Sequence, residues 1–408
     1  MSYLVQKFGG TSVGDLERIE NVAGIIASEV RKNNKVIAIV SAMSGETNRL
    51  VEQVKKTSPV YDGREYDVIV STGENITAGL LAVKLQDLGI PARSWMGWQI
   101  PIITTSMHSN ARILEIKTEN IEKKFFEGMK VAIVSGFQGI SKENRISTLG
   151  RGGSDTTAVA ISAAFNAKRC DIFTDVEGIF TTDPRIVKSA RKLDKISYEE
   201  MLELASMGAK VLHTRSVELA MRYGVNLQVL SSFQEKIGTL VCREDKMLES
   251  RMISGVASSK DEAKVTLSGV LDKPGIAAAI FGPLSESGIN VDMIIQNVSE
   301  NETTDITFSC PMSQVSEAEA AIHKASKKKE ISFKACVIDT EVAKVSIIGI
   351  GMRSHAGIAK KMFESLANEN INILVISTSE IKISILVEQK YMELAVQVLH
   401  DAFELDKV

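Results

Sequence analysis

One pattern in the last third of the chain occurs twice and confines that region to few folds. Gly275-Ile276-Ala277, followed by Phe281, Leu284, Ile289, Asn290 and Ile294, returns 82 positions later as Gly357-Ile358-Ala359, Phe363, Leu366, Ile371, Asn372 and Ile376. A repeat of this length describes one supersecondary unit used twice. In each copy a strand (Lys264–Val270; Val345–Ile350) leads to a helix, a strand, a turn, another strand (Asp305–Ser309; Ile381–Val387) and a final helix (Ser316–Ala325; Met392–Phe403). This βαββαβ order predicts two ferredoxin-like units, over residues 264–337 and 343–408.

The preceding 230 residues read differently. Strand candidates at Tyr3–Phe8, Lys35–Val40, Asp67–Ser71, Val131–Ser135, Ile172–Thr174 and Asn226–Val229 alternate with helical patterns such as Leu16–Val30, Glu74–Leu88, Ser154–Phe165 and Tyr198–Ala205. That alternation predicts an α/β domain, residues 1–245, with a mainly parallel sheet sandwiched by helices. Ligands bind such sheets beyond the carboxyl ends of their strands. The polar, charge-rich stretch Arg243–Arg251 separates the two regions.

Two glycine-rich segments fall where that rule places chemistry. Val5-Gln6-Lys7-Phe8-Gly9-Gly10-Thr11-Ser12-Val13-Gly14 and Thr148-Leu149-Gly150-Arg151-Gly152-Gly153-Ser154-Asp155-Thr156-Thr157-Ala158 each set glycines between an apolar strand and a helix, with Lys7 or Arg151 beside them. Backbone N–H groups freed in this way close around phosphate oxygens. Neither segment is the G-x-x-x-x-G-K-[ST] P-loop. Val40–Asn48, Ser71-Thr72-Gly73-Glu74 and Thr174–Arg185 are further motifs in the same region.

In their order and spacing these motifs resemble the aspartokinases of the amino-acid-kinase family, over nearly the whole chain, and the paired βαββαβ units resemble ACT domains. The resemblance implies transfer of the γ-phosphoryl group of ATP to the side-chain carboxylate of L-aspartate, with Mg2+ carried on the ATP phosphates. It implies that Lys7 and Gly10 contact ATP through the Phe8-Gly9 loop, and that Asp155 orients Lys7. Arg151, Gly152, Gly153 and Ser154 would hold the substrate, and Glu74 with Thr47 would select its α-ammonium. Phe125 and Phe126 match positions near the substrate pocket. Thr174, Asp175, Phe180, Thr181, Thr182, Asp183, Pro184 and Arg185 would receive the nucleotide, with Ser41 and Lys210 nearby. Phe180 stands where many relatives carry Tyr. In the ACT-like units, the positions matching the effector pattern are Asp272, Ile289, Asn290, Val291, Asp292, Gln296, Asn370, Asn372, Ile373, Ser379 and Glu380. Lysine, threonine or both would bind there.

Several of these residues also have plainer readings. Lys7 in isolation is a surface lysine, and Asp155 and Glu74 suit helix starts by capping and by the helix dipole. Phe125 and Phe126 read equally as helix core, Asp183-Pro184 as a turn, Lys210 as part of a helix turn, and the asparagines as turn residues.

Composition narrows the function classes. At 408 residues the chain has room for two to three domains. A net charge of -3 supplies no broad basic field, against a nucleic-acid partner, and Lys327-Lys328-Lys329 reads as a solvated helix end. Cys170, Cys242, Cys310 and Cys336 lack pair spacing, which suits reduced thiols in the cytoplasm. No signal peptide and no apolar run of roughly 20 residues is expected, hence no membrane partner. The five histidines show no metal-ligand spacing. Ile348-Gly349-Ile350-Gly351-Met352-Arg353-Ser354 imitates a dinucleotide fingerprint but lacks its third glycine. A kinase acting on glutamate, and a non-catalytic amino-acid sensor with an inert kinase half, are the rival readings. A homo-oligomer, or assembly through ACT pairing with a shorter product started at Met247 or Met252, is the expected association.

Overall fold

The computed structural model describes residues 2–207, 211–245, 251–297, 303–328 and 330–407. It forms two compact units, one of Met1–Phe180 with Lys192–Ser250 and the other of Thr181–Arg191 with Arg251–Val408.

In the first unit, Tyr3–Phe8 and Lys35–Val40 are buried at nearly every position because they lie side by side in the middle of an eight-stranded sheet. Parallel strands covered on both faces read as continuous apolar runs. The strand order is Lys195–Ser197, Thr239–Cys242, Leu227–Ser231, Cys170–Thr174, Tyr3–Phe8, Lys35–Val40, Val131–Ser135 and Ala92–Trp95. All neighbours pair in parallel except Leu227–Ser231 with Thr239–Cys242. Asp15 caps the helix Leu16–Arg31 by accepting from the Arg18 N–H, and the helix buries Ile19, Val22, Ala23 and Ile26 at helical spacing. A smaller sheet runs in the order Ile113–Ile116, Ile102–Thr104, Gln138–Ser141 and Ile146–Thr148.

Asp67–Ser71 is not a strand. Its β-branched Val68-Ile69-Val70 run mimics one, but the residues lie at the end of the helix Gly63–Val70, which starts on an Asp62 side chain accepting from the Arg64 N–H. Ser71 then passes directly into the helix Thr72–Asp87. Together, Gly63–Asp87 is long and apolar enough to cross a membrane by length and composition, contrary to expectation from the sequence. Half of its most apolar stretch is buried inside the unit, and it carries the buried carboxylates of Asp67 and Glu74.

In the second unit the first repeat is a complete βαββαβ unit. Its sheet order is Ile294–Asn297, Thr303–Cys310, Ala263–Leu271 and Ala335–Asp339, covered by helices Ile276–Glu286 and Val315–Lys327. The second repeat forms the sheet Gly255–Ser259, Val342–Ile348, Lys382–Glu388 and Val375–Thr378, with helices Ile358–Asn368 and Met392–Ala402. Its edge strand Gly255–Ser259 therefore comes from upstream of the first repeat, outside the 343–408 range read from the sequence. The repeated glycines Gly275 and Gly357 open equivalent helices with φ of 91° and 90°, a backbone conformation that other residues adopt at a cost. Thr181–Arg191 packs within this unit, where Val187 is buried with Ile253, Ile358 and Leu399. Thr181 Oγ1 lies 3.0 Å from the buried His400 Nε2.

Candidate active site

The first unit holds a cavity of about 490 Å³ into which both glycine-rich segments open. Lys7 reaches it from the strand Tyr3–Phe8, and its Nζ lies 2.6 Å from Asp155 Oδ1. Phe8 turns away into the core, stacked on Phe173 with ring centroids 4.8 Å apart. Gly9 passes beside Lys7, while Gly10 lines the cavity and starts the short helical turn Gly10–Val13.

Two longer helices begin at the wall. Gly45 precedes Glu46–Thr57 and Gly152 precedes Gly153–Ala164, and neither start is closed by a side-chain cap. Gly45, Thr47 and Asn48 line the cavity from one, and Gly152, Gly153 and Ser154 from the other. Uncapped N–H groups and the positive end of each helix dipole favour an anion. Gly152 cannot be replaced without strain, since its φ is 66° and an added Cβ would stand 2.4 Å from the His213 side chain. Arg151, between Gly150 and Gly152, is exposed at the cavity and has no ion-pair partner among the described residues.

Glu74 supplies the opposite charge. Only 3% of the residue is exposed; Oε1 accepts from the Ala42 N–H at 3.1 Å, and Oε2 is buried with no hydrogen-bond partner among the described residues. Burial pushes its pKa up to about 7, against the lowering effect of the Ala42 N–H and its own N–H. A buried carboxylate oxygen facing a cavity is completed by a cationic ligand or by a proton. The cavity thus combines cationic and N–H groups suited to phosphates or carboxylates with one buried acid suited to an ammonium.

Other residues singled out in the sequence fall in different places. Ser41 and Asp175 line the cavity, and Thr174 ends the adjacent strand with its hydroxyl donating to Asp175 Oδ1 at 3.0 Å. Phe125 is a core residue packed on Tyr3, and Phe126 is 92% exposed; neither lines the cavity. Alternate faces of the helix Glu119–Phe126 send them inward and outward. Phe180 bridges to Lys192 in the first unit, whereas Thr181, Thr182, Asp183, Pro184 and Arg185 lie in the second, where Asp183 and Arg185 form a local ion pair of 2.7 Å. Lys210 and Met247 lie outside the described residues.

In the second unit, Ser379 and Glu380 line a cavity of about 400 Å³ with Met352, Arg353, Thr378 and Ile383. Asp272, Asn290, Gln296 and Asn372 are exposed, Ile289 is core, and Val291 and Ile373 are half-buried. Asn370 adopts a φ of 56°, as a turn asparagine does. Asp292 makes a 2.6 Å ion pair with the buried Lys344 of the other repeat.

Thr11 and Asn48, within the quoted motifs but given no role there, also line the first cavity, and sequence reading missed Phe137, which lines it too. It likewise missed the residues behind it. Asp67 is wholly buried, and Arg215 donates to the carbonyls of Leu149 and Ala111 at 2.6 Å each. Their partners are distant in the chain, so no local motif marks them.

This fold and site define an amino acid kinase carrying ACT domains. The amino acid kinase family model matches residues 2–231, and the ACT domain model matches residues 265–325 and 345–403. The chain is 52% identical over 407 residues to the aspartate kinase of Pseudomonas putida, covering 100% of this chain and 98% of that one. It is 51% identical over 408 residues to the aspartokinase of Pseudomonas aeruginosa, with the same coverage. The structure matches E. coli aspartokinase III in complex with aspartate and ADP at a TM-score of 0.81 and 27% identity, covering 98% of this chain and 99% of that one. The chain belongs to the aspartokinases and is an enzyme, an aspartate kinase.

Proposed function

We propose that this aspartate kinase transfers the γ-phosphoryl group of ATP to the side-chain carboxylate of L-aspartate, giving 4-phospho-L-aspartate and ADP, on the route to lysine, threonine and methionine. The observation that carries this reading is the single cavity lined by Lys7, Arg151, two uncapped helix starts and the buried acid Glu74. Lys7, held by Asp155, would neutralise charge on the transferring phosphoryl group. Arg151, with the N–H groups of Gly152 and Ser154 and with Gly153 between them, whose own N–H donates to the Gly150 carbonyl at 3.0 Å, would bind carboxylate oxygens, since an arginine fork matches a carboxylate bidentately. Glu74 with Thr47 would take the α-ammonium. The acceptor is already ionised at neutral pH, so no general base is required, and positioning with charge neutralisation supplies the catalysis.

Ser41, Gly10, Thr174 and Asp175 are the candidate nucleotide contacts within the first unit, and Phe180–Arg185 and Lys210 remain proposed from resemblance. Among the described residues, no three His, Cys, Asp or Glu side chains group to hold a metal. Mg2+ would accordingly take its ligands chiefly from ATP phosphates and water, as this ion commonly does.

Lysine, threonine or both are proposed as inhibitors through the ACT domains. E. coli aspartokinase III, which this chain resembles at a TM-score of 0.78, has been solved with lysine and aspartate. A cytoplasmic homo-oligomer, or an assembly with a shorter regulatory product, is proposed on the same footing. The test is ADP release with aspartate, with glutamate and without acceptor, each with and without lysine and threonine. Aspartate-dependent release is expected; release that is equal without acceptor would overturn the reading.

A further inference from the structure

Behind the Arg151 loop lies a buried hydrogen-bonded cluster. Asp67, 0% exposed, accepts from Thr148 Oγ1 at 2.6 Å and from the Ser109 N–H at 3.1 Å, and its Oδ2 lies 2.7 Å from His108 Nδ1. Thr148 ends the strand Ile146–Thr148, three residues before Arg151. Its carbonyl accepts from the Ala111 N–H at 2.9 Å, and Gly150 is pressed so closely on the same segment that an added Cβ would lie 3.1 Å from Ser109 O. Asp67 itself belongs to the helical stretch that carries Glu74 about two turns further on. One buried carboxylate therefore joins the wall that presents Arg151 to the wall that presents Glu74.

We propose that Asp67, through Thr148, is a positioning residue that sets the spacing between the anion-binding and ammonium-binding ends of the site, and so favours aspartate over an acceptor longer by one methylene. This rests on the assignment of Arg151 and Glu74 to the amino-acid substrate. Neither Asp67 nor Thr148 lines the cavity, so their effect passes through the backbone that carries Arg151. A buried carboxylate with several partners holds its neighbours stiffly, because each lost bond leaves an unsatisfied group. One methylene is worth about ten-fold or more in discrimination when a site is rigid.

The test compares Thr148→Val, Thr148→Ser, Asp67→Asn and Arg151→Ala in the full-length enzyme, measuring ADP release with aspartate and with glutamate over a range of ATP. Thr148→Val and Asp67→Asn are expected to lower the aspartate-to-glutamate ratio of kcat/KM by about ten-fold, mainly by raising KM for aspartate, with KM for ATP within about two-fold. Thr148→Ser keeps the hydroxyl and should restore the parental ratio. An unchanged ratio in a folded Thr148→Val enzyme, or a Thr148→Ser enzyme as impaired as Thr148→Val, would overturn the proposal. If Arg151→Ala raises KM for aspartate while Thr148→Val does not, only the positioning role falls; an unchanged KM in Arg151→Ala removes the substrate assignment beneath it. Circular dichroism and thermal unfolding confirm folding of each variant, and Asp67→Asn decides the matter should Thr148→Val fail to fold.

Discussion

The Lys7 ammonium lies 2.6 Å from the Asp155 carboxylate, and only 12% of each side chain is open to solvent. Such a pair keeps a cation fixed at the cavity wall without reorganisation during reaction. Lys7→Met should lower kcat by about 10²–10³-fold while the protein stays folded. Steady-state kinetics beside circular dichroism check this, and near-normal turnover in the folded variant would remove Lys7 from the mechanism.

Glu74 makes a pH-dependent prediction. Its folded pKa of about 7 exceeds the ordinary 4.5 because burial disfavours the charged form. Between these values the folded state retains a proton that the unfolded state has released, so stability falls as pH rises through the window. The cost, complete above about pH 7, is about 3 kcal/mol. Glu74→Gln should therefore be more stable than the parent at about pH 8, with the advantage vanishing near about pH 4.5. The same substitution should raise KM for aspartate and leave ATP affinity nearly unchanged. Thermal unfolding across pH and kinetics at varied aspartate test both effects; equal losses for aspartate and ATP would mark Glu74 as a structural residue.

Lys344 joins the two repeats of the second unit. Its Nζ lies 2.5 Å from Glu262 and 2.6 Å from Asp292, with the Lys344 and Glu262 side chains each 7% exposed. Burial pushes the ammonium pKa down, but the two carboxylates together outweigh it and hold Lys344 above its usual value. Lys344→Met leaves Glu262 buried without its cation and should cost about 3 kcal/mol. Calorimetry should show that loss, and Lys344→Met with Glu262→Gln should recover most of it. No recovery in the double variant would mean that packing, not charge, is what Lys344 supplies.

Regulation is tested at Gln296 and Asn372. An effector acts only through different affinities for active and inactive arrangements, so weakening its site changes inhibition and spares catalysis. Gln296→Ala or Asn372→Ala should raise the inhibitory concentration of lysine, threonine or both by about ten-fold, with uninhibited kcat within about two-fold. Titrations of each inhibitor alone and together decide it, and unchanged curves in both variants would place the effector elsewhere.

Much of the first cavity was legible because its groups sit on short glycine-rich segments. Lys7 and Gly10 lie at the end of the strand Tyr3–Phe8, and Arg151, Ser154 and Asp155 follow shortly after the strand Ile146–Thr148 of the smaller sheet, so each group is marked locally in the chain. The misread strand Asp67–Ser71 shows the opposite case, since its β-branched residues were overruled by an Asp62 cap and by burial of Asp67. Phe125 and Phe126 could not be told apart without knowing which face of their helix met Tyr3. The placement of Thr181–Arg191 depends on Val187 packing with residues such as Leu399, far along the chain, for which no local pattern exists.

The strand Gly255–Ser259 has a kinetic consequence during synthesis. Its partner Val342–Ile348 pairs Ala257 with Ser346, about ninety residues later in the chain. At about 5–20 residues per second, that partner leaves the ribosome roughly 4–20 seconds after the strand itself. The intervening repeat contains every strand of its own sheet and has time to fold first. Val256 and Ala257, destined for burial, must meanwhile wait without their sheet partner beside a finished neighbour. A chain that stalls in this interval presents an open β-edge, and slower translation should increase its capture by chaperones or its aggregation.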